Sequence, residues 1–457
     1  MRQLFTWVLA ATAIVTFAQN NAALSLSLNE ALAQAQTNNQ TLANAQLDIA
    51  YAETQVNEIK AQGLPQINGN AGFTHNLEIA TQVLPDFISP SVYGVLFEEG
   101  LIAPKDLAVG TFPAQFGVPY SMQAGIGVNQ LLFEGTFFLG LKAASEFVNI
   151  SRLTASKSEI DIKEAVTKAY YMALISDQNR SQLSKSVENI QKLKDETQAM
   201  YDAGFAEKLD VDRLVLSVSN LEININQLEN QVKLAKQLLL NSIGLDVNQQ
   251  VELTSSLPEE VNALDDLAAA FDPENRIEIQ LIDQQQELNK INLKRYKVGH
   301  VPSLFGNFNY GGNTFAGDGN FGDLGNKWYP ISSYSVSLNV PIFDGFYKKA
   351  KSDQVKIDIQ KTENTKKQAV LGMSLQVSQA KTNYINALKT IDLQKKSKVL
   401  AERIYSTTAI KFKEGIGSSF EMITAESDLT QARTNYLNAL YELNVAKIDL
   451  NKALGIL

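Results

Sequence analysis

The chain reads as mainly α with a small membrane β part, laid out as an internal two-fold sequence repeat. Three observations carry this expectation. Short segments alternate apolar and polar residues at period 2, long Pro-free segments carry apolar heptads, and the same order of segments occurs twice in 457 residues.

Composition narrows what such a chain can do. It has 40 Lys and Arg against 49 Asp and Glu, for a formal charge of −9. Without a sustained basic block it lacks the cationic footprint of a nucleic-acid surface, so no nucleic-acid partner is expected. It has no Cys and only two His, His75 and His300, both expected in strands. Zinc sites, thiol nucleophiles and disulfide frameworks have no raw material here, and neither His neighbours a Gly-x-Ser-x-Gly elbow. The chain is expected to be no enzyme and to hold no cofactor and no metal.

The N-terminus opens with Met1, Arg2 and an apolar run from Leu4 to Ala18. One positive charge, a run too short to span a bilayer as a helix and a small residue at the break predict a signal peptide over 1–18, cleaved after Ala18. No later segment offers 18 uninterrupted apolar residues.

The first copy of the repeat is expected over 19–243. It comprises a Gln/Asn-rich helix (27–62), strands at 65–75 and 120–133 around a loop (76–119), then helices at 136–202 and 207–243. The linker 244–273, with Pro258 and Pro273, separates it from a second copy over 274–457. That copy has a helix (274–298), strands at 302–312 and 331–343 and helices at 346–413 and 419–454. The duplication rests on paired motifs. Asn-Gln-Leu-Leu-Phe-Glu-Gly from Asn129 answers Asn-Val-Pro-Ile-Phe-Asp-Gly from Asn339. Tyr-Asp-Ala-Gly-Phe (201–205) answers Phe-Lys-Glu-Gly-Ile (412–416), and Leu64-Pro65 with Gly69 and Phe73 answers Val301-Pro302 with Gly306 and Tyr310.

In the strands, Met122, Ala124, Ile126 and Val128 interleave with Ser121, Gln123, Gly125 and Gly127, while Tyr334, Val336, Leu338 and Val340 interleave with serines and Asn339. Period 2 sends the two sets to opposite faces. A strand of about ten residues suits a tilted membrane crossing. It also suits a half-exposed sheet of a soluble domain. In a membrane, four strands could not close a barrel, because single-chain outer-membrane barrels begin at about eight and open edges are excluded from lipid. Several chains would have to share one barrel.

The helices show the second pattern. Met422, Leu429, Tyr436, Leu443 and Leu450 recur every seven residues, with Ala425, Ala432, Ala439, Ala446 and Ala453 between them. Val211, Leu214, Val218, Leu221, Ile225 and Leu228 run likewise after Gly204. Such seams pack as coiled coils, and small Ala side chains let helix axes approach. The partner segments 136–202 and 346–413 would each be roughly 100 Å long at 1.5 Å per residue. Gly204 and Gly415 allow the left-handed residue that ends a helix, so they are expected at the hairpin tips.

These residues together resemble the TolC-type outer-membrane efflux proteins over essentially the whole mature chain. The carriers are the duplication, the strand exits Phe133-Glu134-Gly135 and Phe343-Asp344-Gly345, the two Gly tips, and an acid six positions beyond each Gly, Asp210 and Glu421. The resemblance implies a homotrimer with a trimeric 12-strand β-barrel, four strands per chain, set among outer-membrane lipid. That barrel continues as a long antiparallel α-helical coiled-coil barrel through the periplasm, with 244–273 in an equatorial region. It implies a passive exit duct of a tripartite efflux or type I secretion system, in the outer membrane of a Gram-negative cell. The implied partners are a periplasmic adaptor (membrane fusion) protein and an inner-membrane pump of RND, ABC or MFS type.

Carried over residue by residue, Gly204, Phe205, Gly415 and Ile416 become the adaptor-binding tip, and Asp210 and Glu421 the aperture and gate. Thr424 stands where a second acid often lies, and Gly417 where a basic gating residue can occur. Asp210 and Glu421 also admit a plainer reading as carboxylates complementing a helix N-terminus. Two rival functions are a non-transport periplasmic coiled-coil scaffold, which leaves the alternating strands unexplained, and a secreted hydrolase, whose acids would have to converge rather than spread along helix faces.

Overall fold

The computed structural model describes residues 24–457 apart from 107, 109, 260–262 and 318–320. The expected signal peptide 1–18 lies outside the described residues. In order, the chain forms β1 (Leu24–Leu26), α1 (Leu28–Asn38), α2 (Gln40–Gln62), β2 (Gln66–His75), β3 (Thr81–Pro85), α3 (Ile88–Glu98), β4 (Thr111–Gln115) and β5 (Tyr120–Phe133). There follow α4 (Gly135–Asp202), α5 (Lys208–Ile243), β6 (Val251–Leu253), α6 (Ala263–Ala268), α7 (Ile277–Val298), β7 (Ser303–Ala316), β8 (Tyr329–Asn339), α8 (Tyr347–Lys413) and α9 (Ser419–Leu454). Two compact units result. One takes the residues up to Tyr51 with Val148–Gln286 and Lys361–Leu457; the other takes Ala52–Phe147 and Glu287–Gln360. No helix among the described residues is long and apolar enough to cross a membrane.

The second unit is built on an antiparallel sheet in the order β2-β5-β7-β8. Its register sorts side chains by polarity. Ile67 pairs with Val128 and Val128 with Phe308, which pairs with Tyr334; one step along, Gly69, Ile126, Tyr310 and Ser332 form the next row. Because alternate residues share a face, Ile67, Phe73, Met122, Ile126, Phe308, Tyr310, Tyr334, Val336 and Leu338 stand on one side, and all of them are exposed. The opposite side carries Asn68, Asn70, Gln123, Asn307, Asn309, Ser333, Ser335 and Ser337. The edges are β2 and β8, and β8 is exposed at every position.

Mid-sheet, Gly125 faces Gly311, and a Cβ on Gly311 would lie 2.5 Å from the Ala124 carbonyl oxygen. Only Gly permits so close a backbone approach.

Several boundaries depart from expectation. β7 runs on to Ala316, while β8 starts at Tyr329 and stops at Asn339, leaving 340–343 outside the strand; Pro341 has no N–H to extend a ladder. His75 closes β2, but His300 occupies the turn ahead of β7 rather than a strand. The segment 76–119, expected as loop, contains the β3/β4 hairpin and α3, a helix with no buried residue. The N-terminal helix is two helices. Asn39 breaks it, its side-chain oxygen accepting from the N–H groups of Thr41 (2.8 Å) and Leu42 (3.3 Å) and so capping α2.

The first unit holds the cores. Parallel strands β1 and β6, three residues each, pair Leu24 with Val251 and Leu26 with Leu253. Around them Ala31, Ala35, Val166, Tyr170, Leu239, Leu240 and Ile243 are buried together. The Tyr170 hydroxyl donates to the Leu26 carbonyl (2.9 Å) and accepts from the Ser255 N–H (3.1 Å), tying helix to strand. A second core joins Val377, Ala380, Tyr384 and Ala387 of α8 to Leu443, Ala446, Leu450 and Ala453 of α9. The heptad residues of α9 are thus buried at its seam except Ala432, which is half-buried, and Val211, Leu214, Val218, Val232, Ala235 and Leu239 of α5 are buried likewise.

Candidate functional site

The turns joining α4 to α5 and α8 to α9 have one construction. Gly204 (φ 78°) and Gly415 (φ 75°) lie in the left-handed region. The Phe205 N–H donates to the Met200 carbonyl (2.8 Å) and the Gly204 N–H to Tyr201 (2.9 Å); Ile416 and Gly415 repeat this onto Lys411 and Phe412, both at 3.0 Å. Each turn is a Schellman motif, which satisfies the last helical carbonyls at the cost of requiring Gly. Phe205 (86 % exposed) and Ile416 (77 %) project into solvent from the two turns. A Cβ at Gly417 would stand 3.0 Å from the Phe412 backbone nitrogen, which accounts for Gly at a position where a basic residue would crowd the turn.

Beneath the turns, Ile190 and Leu193 of α4, Leu214 and Val218 of α5 and Met422 of α9 form a buried cluster, flanked by Tyr405 and Phe412 of α8. All four helices meet here. The Ser186 and Thr430 hydroxyls bond to each other at 2.8 Å and link α4 to α9.

The two acids occupy the same helical position with different partners. Glu421 stands three residues after Ser418 and closes a capping box: its N–H donates to the Ser418 hydroxyl (3.2 Å), and its carboxylate accepts the Ser418 N–H (3.5 Å). It is exposed. α5 begins at Glu207 without a side-chain cap, and Asp210 instead accepts the hydroxyl proton of Ser419, a buried residue of the other hairpin. Arg213 lies 3.8 Å from Asp210 and 5.9 Å above the Phe420 ring. Thr424 is exposed and bonds back to the Phe420 carbonyl at 2.9 Å. The helix N-terminal role of Glu421 is therefore realised. Asp210 bridges the hairpins, a role unread in the sequence for want of any signal that Ser419 would reach it. The Ser-x-x-Glu capping signature was visible at Ser418. Among the described residues no cluster of His, Cys, Asp or Glu could hold a metal.

The sheet is apolar on one side with two open edges and the long helix pairs end in glycine turns, the parts that a strand-sharing outer-membrane channel would need. The family model for outer membrane efflux proteins matches residues 31–245 and 275–456. The chain belongs to that family. It is 20% identical over 341 residues, 74% of this chain and 77% of the other, to the outer membrane protein TolC of Vibrio cholerae. Two solved structures share the fold at a TM-score of 0.70. A membrane protein from Pseudomonas aeruginosa is 15% identical, with 93% of this chain and 92% of that one covered. The CmeC outer membrane channel of Campylobacter jejuni is 13% identical, with 94% and 85% covered.

The protein is accordingly an outer-membrane efflux channel of a Gram-negative cell, with its helical part in the periplasm, and a passive duct rather than an enzyme. Channels of this family work as trimers with adaptor and inner-membrane pump partners.

Proposed function

We propose that three copies of this chain pool their sheets into one 12-strand barrel, continued by a barrel of their paired helices, and that the duct opens at its glycine tips. The observation that carries this reading is the exposed sheet. Its apolar face needs lipid, and its bare β2 and β8 edges need partners that only other copies supply within hydrocarbon. Near-equal halves support an internal duplication: α4 and α8 have 68 and 67 residues, α5 and α9 have 36 each, and the two tips share one hydrogen-bond pattern.

In this reading Gly204, Phe205, Gly415 and Ile416 form the adaptor contact. Phe205 and Ile416 supply the exposed apolar surface that such contacts use. Asp210 and Glu421 line the aperture and favour cations. Opening repacks one hairpin against the other, and adaptor binding contributes the free energy because it favours the repacked form. The segment 244–273 takes the equatorial position, and the pump is of RND, ABC or MFS type.

Planar-bilayer recording of the purified assembly tests this. Conductance of the unmodified protein is expected to be small and cation-biased, and to rise when Glu421→Ala is combined with Met422→Ala, which loosens the tip core. A wide, ungated pore in the unmodified protein would refute the reading.

A further inference from the structure

The register of the sheet sends two connections out of one end. His75 pairs with Tyr120 and Tyr120 with Ala316, while Asn313 pairs with Tyr329, so the segment 76–119 and the β7/β8 turn both leave the sheet opposite its helical end. The first of them carries an apolar helix with nothing over it. In α3, Ile88, Val92, Val95 and Phe97 are exposed, as is Leu101 just beyond, and no residue of the helix is buried. Its two ends differ. At the start, the Asp86 carboxylate accepts the N–H groups of Ile88 (3.1 Å) and Ser89 (2.9 Å), and the Asp86 N–H donates to the Gly110 carbonyl (2.7 Å), which fastens α3 to the hairpin. At the finish stand Glu98 and Glu99, two acids at the negative end of a helix with no basic residue in its last turn. The macrodipole disfavours them there until a cation from elsewhere meets them.

Charge selects what covers this helix. Residues 76–104 include Glu78, Asp86, Glu98 and Glu99 and no Lys or Arg. An anionic lipid surface would repel such a segment, since helices that lie on membranes carry Lys and Arg on their polar side. Copies of α3 meeting one another would crowd their terminal acids together. The β7/β8 turn offers the opposite chemistry: Lys327 holds its ammonium 5.1 Å above the Tyr329 ring beside an exposed Trp328, and Asp323 is engaged by the Asn326 amide at 3.2 Å. A copy's own turn, next along past β5 and β7, leaves α3 bare. In the pooled sheet the other flank of the segment belongs to the next copy, because antiparallel joining of β8 to β2 sets the Tyr329 end of one beside the His75 end of the other. We propose that α3 docks on the β7/β8 turn of the neighbouring copy, apolar side against Trp328 and Glu98 and Glu99 toward Lys327, clasping the copies together at the cell-surface end of the duct. The inference rests on the pooled sheet.

Thiol pairs test it cleanly, because the chain has no Cys. Full-length Glu99→Cys with Lys327→Cys, treated with a short bis-maleimide in isolated outer membranes, is expected to give covalent dimers and trimers on a denaturing gel. Asn70→Cys with Ser333→Cys, on the polar side of the two edge strands, reports the seam itself and is expected to do the same. Seam bands without helix-to-turn bands would overturn the clasp and leave the pooled sheet standing; absence of both would overturn the two together. Copies joined through Val92→Cys alone would mean that α3 meets α3, and would also overturn it. Charge reversal gives a second readout on the same assembly. Lys327→Glu is expected to lower the temperature at which the trimer dissociates, and Glu98→Lys with Glu99→Lys, added to it, to restore that temperature. Failure of the added pair to restore it would deny the contact.

Discussion

Glu421 caps its helix, and substitution can separate that duty from the aperture charge proposed for it. Ser418→Ala removes the hydroxyl that accepts the Glu421 N–H and is expected to cost about 1 kcal/mol in the denaturant midpoint while leaving the cation bias of the duct intact. Glu421→Gln keeps an acceptor for the Ser418 N–H but drops the charge. It is expected to weaken the cation bias, read as reversal potential in a salt gradient, with little loss of stability. If both variants changed only stability, Glu421 would be a cap and nothing more. The tip glycines behave differently. A Cβ on Gly204 or Gly415 would meet nothing within 4 Å, so Gly204→Ala pays only for a left-handed backbone, about 1 kcal/mol in thermal unfolding. A loss of several kcal/mol would mean the turn is packed against something.

Between elements, α4 and α9 are joined by an ion network within the first unit. Lys452 reaches Asp161 (2.7 Å) and Glu164, while Lys168 reaches Glu164 (2.7 Å) and Asp449. Burial alone would push Asp161 and Glu164 up, yet the hydrogen bonds and charges of Lys452, with Lys157 for Asp161 and Lys168 for Glu164, hold both carboxyls below the usual range. Burial likewise opposes the charge on Lys168 and Lys452, and their carboxylate partners outweigh it and raise both. The carboxyl contribution is present above the ordinary carboxylate pKa, about 4, and lost as pH falls through the lowered native values; the lysine contribution is lost only as pH rises through the raised values, beyond about 10. Lys452→Met is expected to cost about 1 kcal/mol at neutral pH, since the groups are partly solvated, and to flatten the acid side of the stability profile. An unchanged acid limb would assign acid sensitivity elsewhere. At this scale legibility in the sequence was uneven. Alternation at period 2 and unbroken heptads mark a face or a seam whatever the chain packs against, so Ile126, Val336, Leu214 and Leu443 could be placed from spacing. The break at Asn39 was hidden because the Gln/Asn-rich run around it has no single residue that announces a cap. The prolines of 76–119 masked the β3/β4 hairpin and α3.

For the whole molecule, the apolar sheet face is the feature that decides where the protein resides. Val336→Lys and Ser335→Lys place the same charge one residue apart on β8, toward the apolar and polar sides respectively. The first is expected to cost about 2–4 kcal/mol if it faces mid-bilayer and to lower the yield of heat-resistant trimer, the second to leave assembly intact and alter conductance. Equal losses would deny the sheet two distinct environments. The shortage of strands was readable by counting, but which two would be left at the flanks was not, since pairing across β5 and β7 brings together residues far apart in the chain, such as Val128 and Phe308. Those flanks also set a timetable for biogenesis. If copies pool their sheets as proposed, a freshly exported polypeptide travels with two raw ribbon borders and a greasy panel until its siblings arrive, so slow encounter favours fibre-like misjoining and fast encounter favours the finished vessel. Export rate and escort by holdase chaperones, rather than the intrinsic stability of any single copy, should then limit how much reaches the cell surface.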